Sequence, residues 1–133
     1  MPRINMGAYL KWKVGNDIRK LLLADADVHA LVGDNIFPLV APENITGDFI
    51  VYSRDSYSHE YVKQGFYDDT CQEEIMIVSD KYDSAVDIAE KVDKALTGTH
   101  NLDNGATITL DVSTSKEVFQ DNKYIEIIVF KVE

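Results

Sequence analysis

At 133 residues, with 45% hydrophobic and 27% charged side chains, the chain fits one domain whose core is large enough to fold without disulfides or metal. Its formal net charge of −10, from 13 Lys and Arg against 23 Asp and Glu, argues against nucleic acid as a partner, because phosphate binding depends on clustered cations that release counterions. The single cysteine, Cys71, excludes an internal disulfide, the start Met1-Pro2-Arg3-Ile4-Asn5 has no apolar signal core, and no apolar run approaches membrane-spanning length. These features predict a soluble protein, intracellular at synthesis, with no membrane partner.

The first predicted element is a helix over about residues 6–24. Leu10, Val14, Ile18, Leu21 and Leu22 recur at spacings of three and four and so share a face. Gly15 lowers its propensity by about 1 kcal/mol relative to Ala and marks a bend or a close contact. Asp25 or Asp27 caps a short second helix carrying Val28, Leu31 and Val32, stopped at Gly33. The stretch Asn35 to Pro42 reads as extended, with Pro38 and Pro42 barring it from a central strand position.

Phe49-Ile50-Val51-Tyr52 then opens a strand running to Asp55, and Ile75-Met76-Ile77-Val78 marks a second near residues 71–78. The unbroken apolar run suits a strand covered on both faces, or one whose outer face meets a neighbour. Between them, Tyr57 to Asp69 is polar and aromatic, and would form the extended tip of a long hairpin if the strands pair. Tyr57, Tyr61, Phe66 and Tyr67 either fold back onto the core or form an interaction arm, since aromatics are enriched at interfaces.

A helix over residues 81–97 places Tyr82, Ala85, Val86, Ala89, Val92 and Leu96 on its apolar face, with Gly98 as its stop. Thr99 to Gly105 reads as a polar loop. Ile108, Leu110 and Val112 alternate with polar residues in a strand with one wet face, and Gln120 to Lys123 makes the turn into a final strand, Tyr124 to Val132. The order predicts an α+β fold, with two main helices on one face of a mainly antiparallel sheet of about four to five strands.

Catalytic chemistry finds little purchase. His29, His59 and His100 sit on separate elements, and no Cys-x-x-Cys, phosphate loop or nucleophile elbow is present. Cys71 reads as a small buried hydrophobe. The pairs Asp68-Asp69 and Glu73-Glu74 lack an ion-binding pattern, and neighbours on a strand point to opposite faces. Lys11, Lys13, Arg19 and Lys20 form the one basic cluster, which reads as a solvated helix face rather than a phosphate site. No catalytic residue, metal or cofactor is expected.

Beyond these physical signals, the run Ile18-Arg19-Lys20-Leu21-Leu22-Leu23-Ala24-Asp25-Ala26-Asp27-Val28-His29-Ala30-Leu31-Val32-Gly33-Asp34 resembles the opening of a family of phage and prophage tail-completion (tail-terminator-like) proteins. The likeness continues through Ile36-Phe37-Pro38, Ala41-Pro42 and Phe49-Ile50-Val51-Tyr52, then from Tyr82-Asp83-Ser84-Ala85 to Ala95-Leu96-Thr97-Gly98. It covers residues 18–98 well and the last two strands by pattern, while the family's Arg near Asn35 and Pro near Asp48 are absent. The resemblance implies a structural protein that caps the tail tube and joins it to the head connector as a hexameric ring. Its partners would then be further copies of itself, the tail tube protein and a head connector or neck protein. It would reside in the bacterial host cytoplasm during assembly and at the tail–neck region of the virion afterwards. The competing readings are a head–tail connector without control of tail length, a small enzyme or ligand-binding domain, and an acidic mimic of nucleic acid.

Overall fold

The computed structural model describes residues 10–61 and 67–133, with backbone alone at 60, 61, 67 and 68. A 3-10 turn at Lys11–Lys13 leads into helix α1, Val14–Ala24, whose fully buried Val14, Ile18 and Leu22 fall at four-residue spacing on one face. The helix starts later than its periodicity predicts. Leu10 has extended backbone and is 45% exposed instead of joining that face, and residues 6–9 lie outside the described residues. At Gly15 the cause is close packing: an added Cβ would lie 3.2 Å from the Tyr52 ring and 3.3 Å from a Glu73 carboxylate oxygen.

Asp25 separates α1 from α2, Ala26–Val32, and its carboxylate accepts the backbone N–H of Asp27 and of Val28, each at 3.0 Å. Helix α3, Tyr82–Leu96, buries Ala85, Ile88, Val92 and Leu96. Its inward face is rotated from the predicted one. Tyr82 and Val86 are 46% and 36% exposed, and Ile88, absent from the predicted face, is buried.

The sheet has six strands rather than four to five: β1 Ile36–Pro38, β2 Phe49–Tyr61, β3 Tyr67–Ser79, β4 Gly98–Asn101, β5 Thr107–Gln120 and β6 Lys123–Val132. Their order is β1-β2-β3-β6-β5-β4. Every neighbouring pair is antiparallel except β1 and β2, so the sheet is mixed. Strand β4 lies in the stretch predicted as loop. Its Gly-Thr-His-Asn sequence has no apolar alternation, and hydroxyl and amide contacts hold it instead, Thr99 to Thr109 and Thr107 to Asn101, each at 3.0 Å.

Strands β2 and β3 extend well past their apolar runs, pairing from Phe49↔Val78 to Tyr61↔Tyr67. Between β5 and β6 the turn residues Asp121 and Asn122 have φ of 54° and 61°, as a two-residue type I′ turn requires, and Gln120 pairs with Lys123 across it.

The three helices pack on one another and on one face of the sheet. There the buried Ile50, Tyr52, Ile75, Ile77, Ile128, Phe130 and Leu110 meet the helical residues in a single core. Strand registers place two further rows on the opposite face: Phe49, Val78, Ile125 and Val118, then Val51, Met76, Ile127 and Lys116. Val51 and Val78 keep only 8% and 6% exposure there.

The same registers send the two long hairpins in opposite directions. Tyr57, Cys71, Val132 and Leu110 form one cross-sheet row, and β2 and β3 continue beyond it to their tip. Ser79, Tyr124 and Phe119 form the row at the other end, where the β5–β6 turn lies.

Candidate functional site

The residues that might have carried catalysis are dispersed. His29 lies on α2 against Asp34, His59 on β2 beside the Tyr57 ring, and His100 on β4 against the Leu96 carbonyl. Among the described residues, no group of three or more His, Cys, Asp and Glu could hold a metal ion. Cys71 is fully buried, and burial pushes its thiol up to about 11, with nearby Glu73 adding to the shift. A thiol so placed stays protonated and unreactive at neutral pH.

What the fold assembles instead is a surface at the root of the β2–β3 hairpin. The 3-10 turn lays Trp12 beside β2, where the Arg54 guanidinium stacks 4.8 Å from the ring centroid and donates to the Trp12 carbonyl at 3.0 Å. Tyr57 meets the same ring edge-on at 5.2 Å. Behind them Lys11 Nζ donates to both Asp69 carboxylate oxygens, at 2.7 and 2.9 Å. The Tyr57 hydroxyl accepts the Lys11 backbone N–H at 3.2 Å and donates to Asp69 at 3.4 Å. Lys11 and Asp69 are 10% and 19% exposed, so this is a buried clamp that fixes the 3-10 turn to the hairpin. Half of the basic cluster is therefore structural, since Arg19 also donates to the Ile36 carbonyl at 3.1 Å.

Beside the clamp opens a cavity of about 300 Å³, walled by Trp12, Leu39, Tyr52, Arg54 and Glu73. Glu73 is buried, and loss of water pushes its carboxyl up to about 7 against the opposing pull of Arg54. Two of its apolar walls stand open to solvent, Trp12 at 56% exposure and Leu39 at 74%. Leu39 sits at φ 63°, in a tight turn closed by Val40 N–H donating to the Pro38 carbonyl at 2.6 Å. A large side chain held outward in left-handed backbone costs about 1–3 kcal/mol, and such strain concentrates at binding sites.

At the opposite end of the sheet lies a second aromatic group. Tyr82 donates to a Glu117 carboxylate oxygen at 2.7 Å, and Phe119, 59% exposed, packs on Tyr124 at 4.8 Å. Glu117 and Glu126 oppose each other across β5 and β6. Burial, then the hydrogen bond and charge of Glu117, push Glu126 up to about 7, while the Tyr82 hydroxyl, aided by Glu126, holds Glu117 low.

Of the four aromatics singled out as an interaction arm, Tyr57 packs against the core at the hairpin root. Tyr61 and Tyr67 pair through their backbones near its tip, and Phe66 lies outside the described residues. Sequence reasoning missed the Trp12, Leu39 and Arg54 surface. Its one legible trace was Leu39-Val40, an apolar pair in a proline-flanked turn where polar residues are usual.

No curated protein matches the sequence at a significant level. Among solved structures, a chain of one described as the virion of a native gene transfer agent (GTA) particle superposes with a TM-score of 0.73 at 22% identity, over 86% of this chain and 89% of that one. At that identity the likeness establishes a shared fold. The model of one family, described as Tail completion protein gp17, matches residues 16–130. Its match spans most of α1, all of α2 and α3 and nearly all of both long hairpins, and so takes in Arg54, Tyr57 and Asp69 but not Lys11 or Trp12. The chain belongs to the Tail completion protein gp17 family of structural phage tail proteins.

Proposed function

We propose that the chain acts as a single domain that caps the finished tail tube and joins it to the head connector, as a hexameric ring of identical copies. The observation that carries this reading beyond family membership is that the sheet has two unlike ends. One bears the β2–β3 hairpin beyond the row of Tyr57 and Cys71, and the other bears Phe119, Tyr124 and the acidic pair. A protein seated between two different structures needs two such surfaces. The mechanism is stoichiometric: a ring bound to the last tube subunits blocks further addition and presents a new face to the head.

In this reading the hairpin is an interaction arm that carries Tyr61 and Tyr67, with Tyr57 as its anchored root, and Phe66 belongs to the same stretch of sequence. Its partners are the tail tube protein on one side and a head connector or neck protein on the other. Assembly takes place in the host cytoplasm, after which the ring stays at the tail–neck junction of the virion. Replacing Tyr61, Phe66 and Tyr67 with Ser should leave the fold intact and abolish tube capping. Normal capping by that variant would remove the arm from the mechanism.

Electron microscopy of particles lacking this gene, and of particles with it restored, tests the whole reading. Overlong headless tails, corrected on restoration, are the expected result. Tails of normal length beside filled heads would instead assign the chain to a connector without length control, and intact virions would overturn a tail-assembly role.

A further inference from the structure

Strand β3 turns Cys71, Glu73, Ile75 and Ile77 toward the helices, and all four are buried. Three of them suit such a core row and Glu73 does not, because a glutamate is almost never enclosed without a partner. Its carboxylate lies against the first turn of α1, where Gly15 leaves it room: an added Cβ would come within 3.3 Å of a carboxylate oxygen. Glu73 is 2% exposed, yet among the described residues none donates a hydrogen bond to it or forms an ion pair with it. Arg54, its partner in the β2–β3 register, donates to the Trp12 carbonyl instead and acts on Glu73 through its charge alone.

This orphaned carboxylate forms one wall of the 300 Å³ cavity, and the other walls narrow the choice of ligand. Trp12 and Tyr52 supply aromatic surface and Leu39 an aliphatic one. An apolar ligand would leave the carboxylate without a donor, and an anion would be repelled by it. A compact ammonium would pair with Glu73 but make little use of the rings. A guanidinium does both, since it is flat, carries its N–H groups as a fork that fits a carboxylate, and stacks on aromatic faces. Arg54 and Lys13 also line the cavity, but both are exposed, so their repulsion is screened more than the attraction of the buried Glu73.

We infer that this cavity receives an arginine side chain from a partner protein, the guanidinium pairing with the Glu73 carboxylate and stacking against the aromatic walls. Among the described residues the arginines of the chain itself are engaged, Arg19 with the Ile36 carbonyl and Arg54 with Trp12. A net charge of −10 also favours the approach of a cationic partner. The inference goes beyond the proposed ring and does not depend on it.

Trp12 is the only tryptophan, so its fluorescence reports from this cavity alone. The full-length chain is titrated with N-acetyl-arginine amide, and separately with N-acetyl-citrulline amide, which has nearly the same shape without the charge. A saturable change with a Kd of about 1 mM is expected for the arginine probe, the strength open to so small a ligand. The citrulline probe should bind about tenfold more weakly, and so should the arginine probe to Glu73→Gln. Should Glu73→Gln fail to fold, the comparison of the two probes on the native chain decides alone. No saturation, or equal binding of the two probes, or equal binding to Glu73→Gln, would overturn the inference and leave the proposed function standing. Binding that appears only in Arg3→Ala would make Arg3 the occupant and overturn the role of a partner.

Discussion

At the scale of single residues, buried charge dominates. Glu73 is folded away from water with its carboxyl raised to about 7 from an ordinary 4.5. The folded state therefore holds a proton that the unfolded chain has released, and stability is full below about pH 4.5, falls as pH rises, and levels off above about 7. Glu126, raised to about 7 beside Glu117, adds to the same window. Glu73→Gln should flatten part of this slope and raise stability at pH 8 by roughly 1–3 kcal/mol, read from thermal midpoints between pH 4.5 and 8. A variant with the wild-type slope would show that Glu73 does not hold the proton.

The Lys11–Asp69 clamp behaves oppositely, because each charge there answers the other. Asp69→Ala strands a nearly buried ammonium and should cost about 3 kcal/mol, whereas the pair Lys11→Met with Asp69→Ala should recover most of that loss. Urea unfolding of the four proteins in this cycle measures it. Equal losses in the single and double variants would mean that the clamp holds by packing alone.

At the scale of elements, periodicity was a good guide wherever burial decided the structure. Val14, Ile18 and Leu22, and then Val92 and Leu96, lie where their spacing placed them, and the cap at Asp25 follows from side-chain chemistry alone. Misreadings arose where polar contacts or neighbours decided. Strand β4 has no apolar pattern, and the far reaches of β2 and β3 pair through polar residues such as Ser58↔Thr70. The site was harder still to read. Arg54 reaches Trp12 across 42 positions of sequence, and nothing local reveals that Leu39 has positive φ. The turn at Asp121 and Asn122 was legible, and its backbone makes a direct test. Asn122→Gly relieves a positive φ and should stabilise the chain by about 0.5–1 kcal/mol, while Asn122→Val should destabilise it by more, both read from urea midpoints.

At the scale of the whole molecule, charge opposes the proposed self-assembly. Each copy carries −10, so adjacent copies repel through the solvent, and the repulsion weakens as the screening length falls from about 30 Å at 0.01 M salt to about 8 Å at 0.15 M. Self-association followed by light scattering should strengthen over that range. Weakening with salt would show instead that cross-copy ion pairs dominate the contact.

The burial of Cys71 has a practical consequence. As the only thiol in the chain, enclosed by the core and held protonated, it will not compete for thiol-directed reagents in the folded protein. One cysteine introduced on any exposed strand or turn is then the sole reactive handle. The native background accepts a fluorophore or spin label at a chosen point without first being stripped of its own cysteine, and distances between copies in the proposed ring can then be measured directly.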